Sequence, residues 1–186
     1  MNVFDFDKTI YDGDSTFAFY KFILKRHARA RWGFPKVLGT GLLYSLRVLK
    51  RDTFKAVLYR SFLPHIDVPF EVGLFWGTHE KNIKQWYRDM AQPSDLISSA
   101  SPEFLVEPIG KILKVRVHAS KVDIKTGNLL EPNNRGEEKV RRFRAEFGNT
   151  EIKQFYSDSL ADTPLAKIAA EAFMVHGNQR NPWPKH

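Results

Sequence analysis

One apolar strand opens this chain, and roughly eighty residues of helix-forming sequence follow before the next strand-like run. Val3, Phe4 and Phe6 belong to the first run, read over residues 1–6. Asp95 to Ser99, Lys114 to Ile124, Ile152 to Tyr156 and Phe173 to His176 read as later strands. Helices are predicted between them. The first opens with Ser101 as its cap and Pro102 in its first turn, and runs to about Leu113. The others cover Glu137 to Phe147 and Pro164 to Ala172. Alternating strands and helices make a mostly parallel sheet. A crossover between parallel strands needs about a dozen residues, not about eighty, so the excess should fold as its own module. The expected fold is therefore a Rossmann-like, three-layer α/β core over residues 1–12 and 91–186, with an inserted helical cap over residues 13–90. The tail from Asn181 to Pro184 reads as extended.

Within the insertion, Thr16 to His27 is helical, and Gly33-Phe34-Pro35 breaks it. Lys36 to Arg51 resumes a helical pattern, with Leu38, Leu42, Ser45, Leu46 and Leu49 on one stripe. Leu43, Tyr44 and Val48 lie off the stripe, so the helix is apolar nearly all round. Such a helix is either sandwiched in a bundle or laid against something apolar. Thr53 to Phe62 is a further helix. Val72, Phe75, Trp76, His79, Ile83, Trp86, Tyr87 and Met90 then recur at helical spacing, more as core than as ligand contacts.

The formal net charge of +8 has a local origin. Ser15 to Arg51 holds nine basic residues and no acidic one, while elsewhere 20 basic residues face 21 acidic ones. Three readings follow for this segment: a solvated face, a field that draws anionic substrates, or peripheral contact with an anionic membrane. No groove-reading motif accompanies the charge, so no nucleic acid is expected as a partner. The absence of cysteine excludes disulfides, zinc–thiolate sites and thiol nucleophiles. Val37 to Leu46 is ten residues long, too short to cross a bilayer. No signal peptide is expected ahead of the first strand. The expected location is cytoplasmic, or peripheral to the inner face of the membrane. No feature of the sequence sets an oligomeric state.

Polar residues collect after the predicted strands. Asp5 and Asp7 are two apart, and strand alternation would turn both carboxylates the same way. Like charges that close are costly unless a cation joins them. Ser98 and Ser99 end the second strand, and Asp158 and Asp162 follow a later one. Ligands of open α/β sheets sit beyond the carboxyl ends of the strands, where these groups would converge. Carboxylate oxygens suit Mg2+, and a hydroxyl, helix-start amides and a cation suit phosphoryl oxygens. One carboxylate could attack phosphorus and a neighbour could move the protons.

The order Asp5-Phe6-Asp7-Lys8-Thr9, Ile97-Ser98-Ser99, a basic residue near Gly136 and Asp158 to Asp162 resembles the four motifs of the haloacid dehalogenase-like (HAD) superfamily. The long insertion resembles the C1 helical cap of the phosphoserine phosphatase-like branch, subfamily IB. Ser99-Ala-Ser-Pro-Glu-Phe, Gly136-Glu-Glu-Lys-Val and Tyr156-Ser-Asp-Ser carry the same likeness. It spans residues 1 to about 175. The resemblance implies a Mg2+-dependent phosphatase acting on a small phosphomonoester through an aspartyl-phosphate. It implies Asp5 as nucleophile and metal ligand, and Asp7 as general acid/base that also binds metal through its backbone carbonyl. Thr9 would hold the first loop beside the phosphate, Ser99 (or Ser98) would bind the phosphoryl group, and Asp158 and Asp162 would serve the metal. Lys139, with Arg135 as the alternative, would supply the third motif's cation. Asp14 falls where relatives carry an acidic substrate contact. Two further readings stand beside this one: a phospholipid head-group phosphatase of the phosphatidylglycerophosphatase C type, and a non-catalytic binding module on the same fold.

Overall fold

The computed structural model describes residues 1–184. Six strands form one sheet: β1 (Asn2–Phe4), β2 (Leu96–Pro102), β3 (Arg116–Ser120), β4 (Ile152–Ser157), β5 (Ala169–His176) and β6 (Gln179–Pro182). Their order is β3-β2-β1-β4-β5-β6, and every pairing is parallel except β5 with β6. Between β1 and β2 lie α1 (Ser15–Arg26), α2 (Ala28–Arg31), α3 (Phe34–Ser45), α4 (Arg51–Phe62), α5 (Val68–His79) and α6 (Gln85–Met90). The remaining helices are α7 (Glu103–Leu113), α8 (Glu137–Phe147) and α9 (Thr163–Ala166). The fold is thus α/β, with a mostly parallel sheet and a helical insertion between its first two strands.

Strand alternation divides the core into two layers. Val3, Leu96 and Phe155 face one cluster, with Phe143 of α8 and Leu165 of α9. Their chain neighbours Phe4, Ile97 and Tyr156 face the other, with Leu105 and Ile109 of α7. A central strand buried on both faces must be apolar on both, which is why β1 has no outward polar side chain before its end.

The insertion returns to the sheet before residue 90. Tyr87 of α6 meets Phe4 edge-on at 4.9 Å, and Trp86 lies 5.8 Å from Tyr156. Trp86 and Tyr87 therefore pack on the sheet, and the two chain segments meet at Ile83. There the outgoing and returning chains pair: Asp12 N–H donates to the Asn82 carbonyl and Lys84 N–H to that of Ile10. A second seam joins the insertion to the core. Gly127, at φ +74°, lies so close to α4 that a Cβ would sit 2.6 Å from the Arg60 nitrogen. Only glycine suits both the conformation and the approach.

Four expectations require correction. The first strand ends at Phe4, not Phe6. The amides of Ile10 and Tyr11 turn back to the Phe6 carbonyl, and Lys8 takes φ +58°. A tight turn, not strand alternation, therefore brings Asp5 and Asp7 together. Ser101 does not cap α7. Pairing of Pro102 with Ser120 holds both residues in β2, and α7 begins at Glu103. The helix expected over Pro164 to Ala172 is a single turn, because β4 pairs with the chain from Ala169 onward. Sheet pairing there overrides the helical propensity of Ala169-Ala170-Glu171-Ala172. The helix expected over Lys36 to Arg51 ends at Ser45, and Arg47 follows it at φ +60°. The tail forms the antiparallel edge strand β6, and the Trp183 ring lies 5.7 Å from Phe155.

Candidate active site

Asp5 is the first residue beyond β1, and its N–H donates to the Tyr156 carbonyl at 2.8 Å. Lys139, in the first turn of α8, is buried to 1% exposure. Its ammonium donates to Asp5 Oδ1 and Asp162 Oδ2, both at 2.7 Å. Ser157 at the end of β4 donates to the same Asp162 oxygen at 2.8 Å. One oxygen of Asp162 is therefore committed to holding Lys139. The ammonium is the bridge that joins residues from the ends of β1 and β4 to α8.

Asp7 is held by both oxygens. Ser15 N–H, at the start of α1, donates to Oδ1 at 2.7 Å, and the Ser101 hydroxyl donates to Oδ2. Ser101 also shares a hydrogen bond with Thr16 at 2.8 Å. Thr9 is fully buried, and its hydroxyl accepts from Asp158 N–H at 3.0 Å. It ties the loop after β1 to the loop after β4 and does not reach the cavity. Asp14 does both things open to it: it accepts from Phe17 N–H as the cap of α1, and it lines the cavity. The Ser99 hydroxyl accepts from Ser101 N–H, and that of Ser98 from Asn134 Nδ2. In this loop Ala100, not either serine, faces the cavity.

The cavity holds about 190 Å3. Asp5, Asp7, Asp14, Lys139, Asp158 and Asp162 line it, joined by Lys8, Arg51 and Arg135. Both candidate cations for the third motif are thus at the site, but only Lys139 touches a carboxylate there. A second cavity of about 200 Å3 shares Asp7, Asp14, Arg51 and Ala100 with the first, and extends between Phe17, Tyr44, Phe54, Leu58 and Lys55. A larger groove, about 660 Å3, opens at the amino ends of β1 and β4 around Met1, Asn2 and Glu151. It is remote from every group described above, on the side of the sheet where open α/β folds do not bind ligands.

Five carboxylates line the cavity against four cations, and of those cations only Lys139 is bonded to carboxylates there. Burial pushes the Asp5 carboxyl up to about 7, although Lys139 pulls it down. Burial, then the charge of Asp14, pushes Asp7 up to about 6 against its bond from Ser101. Burial also raises Asp158. Burial would depress the Lys139 ammonium, but Asp162 and Asp5 together raise it. A site with this excess of buried negative charge fits a divalent cation. Among the described residues no three acidic or imidazole side chains form a closed metal cage. Mg2+ does not need one: it binds through one or two carboxylates and keeps water and substrate oxygens. Asp5 and Asp158, both in the cavity wall, offer carboxylates for such a site.

Three residues escape the sequence reading. Ser101 was hidden by its likeness to a helix cap. Lys55 donates to the Ala100 carbonyl at 2.5 Å and to Asn133 Oδ1 at 2.8 Å, and burial lowers it to about 7. Its signal is readable: Lys55 shares the apolar stripe of α4 with Leu58, Tyr59 and Phe62, an unlikely place for a solvated lysine. Asn134 donates to the carbonyls of Ser99 and His118 and locks the end of β2. No motif singled it out.

The sequence matches the haloacid dehalogenase-like hydrolase family over residues 3–167, a span that contains every residue of the site. No curated protein matches it. Among solved structures it is similar to a protein of unknown function from Bordetella pertussis Tohama I, with a TM-score of 0.79 at 18% identity, over 94% of this chain and 88% of that one. It is also similar to a phosphoserine phosphohydrolase-like protein from Francisella tularensis subsp. tularensis SCHU S4 (TM-score 0.61, 16% identity, 94% and 87% covered). A phosphoserine phosphatase solved as a phospho-aspartyl intermediate analogue gives a TM-score of 0.58 at 17% identity, with 92% and 84% covered. At these identities the likeness shows the shared fold.

Proposed function

The chain belongs to the haloacid dehalogenase-like hydrolases, and we propose that it is a Mg2+-dependent phosphatase that works through an aspartyl-phosphate on Asp5. One observation carries the reading: the buried Lys139 ammonium bridges Asp5 and Asp162, with Asp7 held beside them by Ser15 and Ser101. Mg2+ bound by Asp5, Asp158 and the Asp7 carbonyl would supply the positive charge that lets a carboxylate approach a phosphate dianion.

The Asp5 carboxylate attacks phosphorus, forming an acyl–phosphate bond as the bond to the leaving oxygen breaks. Lys139 keeps Asp5 oriented and offsets part of its charge. Asp7, in its protonated form, gives its proton to the leaving oxygen, and a carboxyl raised to about 6 suits that transfer near neutrality. Asp7 then takes a proton from water as the water oxygen attacks phosphorus and the bond to Asp5 breaks. Ser101 and Ser15 fix Asp7 throughout, so that one group serves both half-reactions. The helical insertion covers the site, and Lys55 ties it to Ala100 of β2 and to Asn133, which keeps bulk water from the acyl phosphate.

The leaving group would occupy the second cavity. Its walls of Phe17, Tyr44, Phe54 and Leu58 favour an apolar or aromatic portion, and Arg51 favours an anionic one. A panel of phosphomonoesters, assayed with wild type and Asp5→Asn with and without Mg2+, tests the proposal. Turnover that requires Mg2+ and is abolished in Asp5→Asn is expected. Metal-dependent turnover that survives Asp5→Asn would sink the mechanism, and saturable binding without turnover would favour the binding-module reading.

A further inference from the structure

Helix α3 is apolar, yet it is not sandwiched. It rests on α4 through Val37, through Gly41 against Phe54, and through Tyr44, whose ring stacks on Phe54 at 5.4 Å. Its other side is open. Leu38, Leu42 and Leu46, spaced four apart on one line, are 63%, 61% and 63% exposed. Val48 beyond the helix is 67% exposed, and Trp32 before it 87%. Among the described residues, eight of the fifteen exposed large apolar side chains fall between Trp32 and Val48. Leu38, Leu42, Leu46, Val48 and Trp32 are each more than three-fifths exposed, and such a concentration of exposed large apolar side chains marks an interaction surface.

The charge around this face has one sign. Arg29, Lys36, Arg47 and Lys50 are exposed and flank it, and none forms an ion pair among the described residues. No acidic residue occurs from Ser15 to Arg51. A second copy docked face to face would set this basic rim against itself, which opposes self-association. An anionic bilayer matches both features: leucines enter the acyl boundary, lysines and arginines meet lipid phosphates, and a tryptophan sits at the interface. We propose that α3 with its flanks is a docking surface for an anionic lipid bilayer. The contact is peripheral, since among the described residues no helix is long and apolar enough to cross a membrane. Tyr44 of α3 and the nearby Arg51 line the second cavity, so docking through α3 sets the mouth of the site near the lipid surface.

The inference does not rest on the phosphatase reading, and its test needs no turnover. Wild-type protein is sedimented at low salt with vesicles of phosphatidylcholine alone, and with vesicles of equal parts phosphatidylcholine and phosphatidylglycerol. Binding to the second and not the first is expected. It should weaken by about tenfold or more in Leu38→Glu/Leu42→Glu and in Lys36→Glu/Arg47→Glu. The circular dichroism spectrum and the Tm should be unchanged in the leucine variant, which shows that it folds. Failure of wild type to sediment with the anionic vesicles overturns the proposal, as does undiminished binding by the folded leucine variant. Dimerisation in light scattering that the leucine variant abolishes, without vesicle binding, would assign the face to a second copy and equally overturn it.

Discussion

Replacing Lys139 by methionine keeps the length of the side chain and removes its charge. The ammonium it deletes is 1% exposed and bonded at 2.7 Å to each of two carboxylates. Removing one partner of a buried ion pair costs about 3–5 kcal/mol, because the other charge is left unpaired in a poor solvent. Asp162 keeps its bond from Ser157, and Asp5 can escape by taking a proton, so the lower end of that range applies. For a chain of this size about 3 kcal/mol lowers Tm by roughly 6–12 °C. The loss depends on pH. The folded value of Lys139 lies above its ordinary one, so its stabilising charge is present in full at any pH below about 10. Asp5 supplies the pH dependence. Its folded pKa is raised to about 7, so its buried charge destabilises the fold increasingly as pH climbs from about 4 to about 7, and protonation relieves this below. Lys139→Met should therefore cost most near pH 8 and clearly less near pH 5.5, where Asp5 is protonated and only Asp162 loses a charged partner. Thermal melts of both proteins in EDTA at the two pH values read the difference directly. A Tm within about 2 °C of wild type at pH 8, or a larger deficit at the acidic pH, would refute the reasoning.

Three further outcomes follow from the same geometry. Mg2+ should raise the Tm of wild type, and Asp158→Asn should need about tenfold or more Mg2+ for the same rise; an unchanged titration would remove Asp158 from the metal set. Ser101→Ala takes a hydrogen bond from the Asp7 carboxylate, so the alkaline limb of the kcat/KM profile, set by loss of the Asp7 proton, should move up by roughly half a unit to one unit, whereas an unmoved limb would detach Ser101 from Asp7. Lys55 is depressed to about 7, so wild type gains stability as pH rises from about 7 to about 10, where the unfolded chain still binds the proton and the folded one does not. Lys55→Met should lack that gain, and parallel Tm–pH curves for the two proteins would contradict it.

Much of this protein is written in local patterns, and those are legible in the sequence. The helix over Glu137–Phe147 has its expected bounds, because Gly136 and Gly148 mark both ends. The strand from Ile152 is one residue longer than expected. Asp5, Asp7, Lys139, Asp158 and Asp162 all reach one cavity, since strand ends on the same edge of a parallel sheet necessarily converge. Tertiary contacts decided the rest. Ser101 reads locally as a helix cap, but a strand partner about twenty residues away keeps it extended and frees its hydroxyl for Asp7. Ala169 to Ala172 reads as helix, but the neighbouring strand β4 pairs with it. Lys55 stands on the apolar stripe of α4, but only docking of that helix on β2 and on the loop before α8 supplies its partners, the Ala100 carbonyl and Asn133. The apolar sequence of α3 suits a buried helix and a membrane-facing one equally well. Composition sets how apolar a helix is, while only its neighbours decide which side is covered, and here they bury Val37, pack against Gly41 and leave the leucine line open.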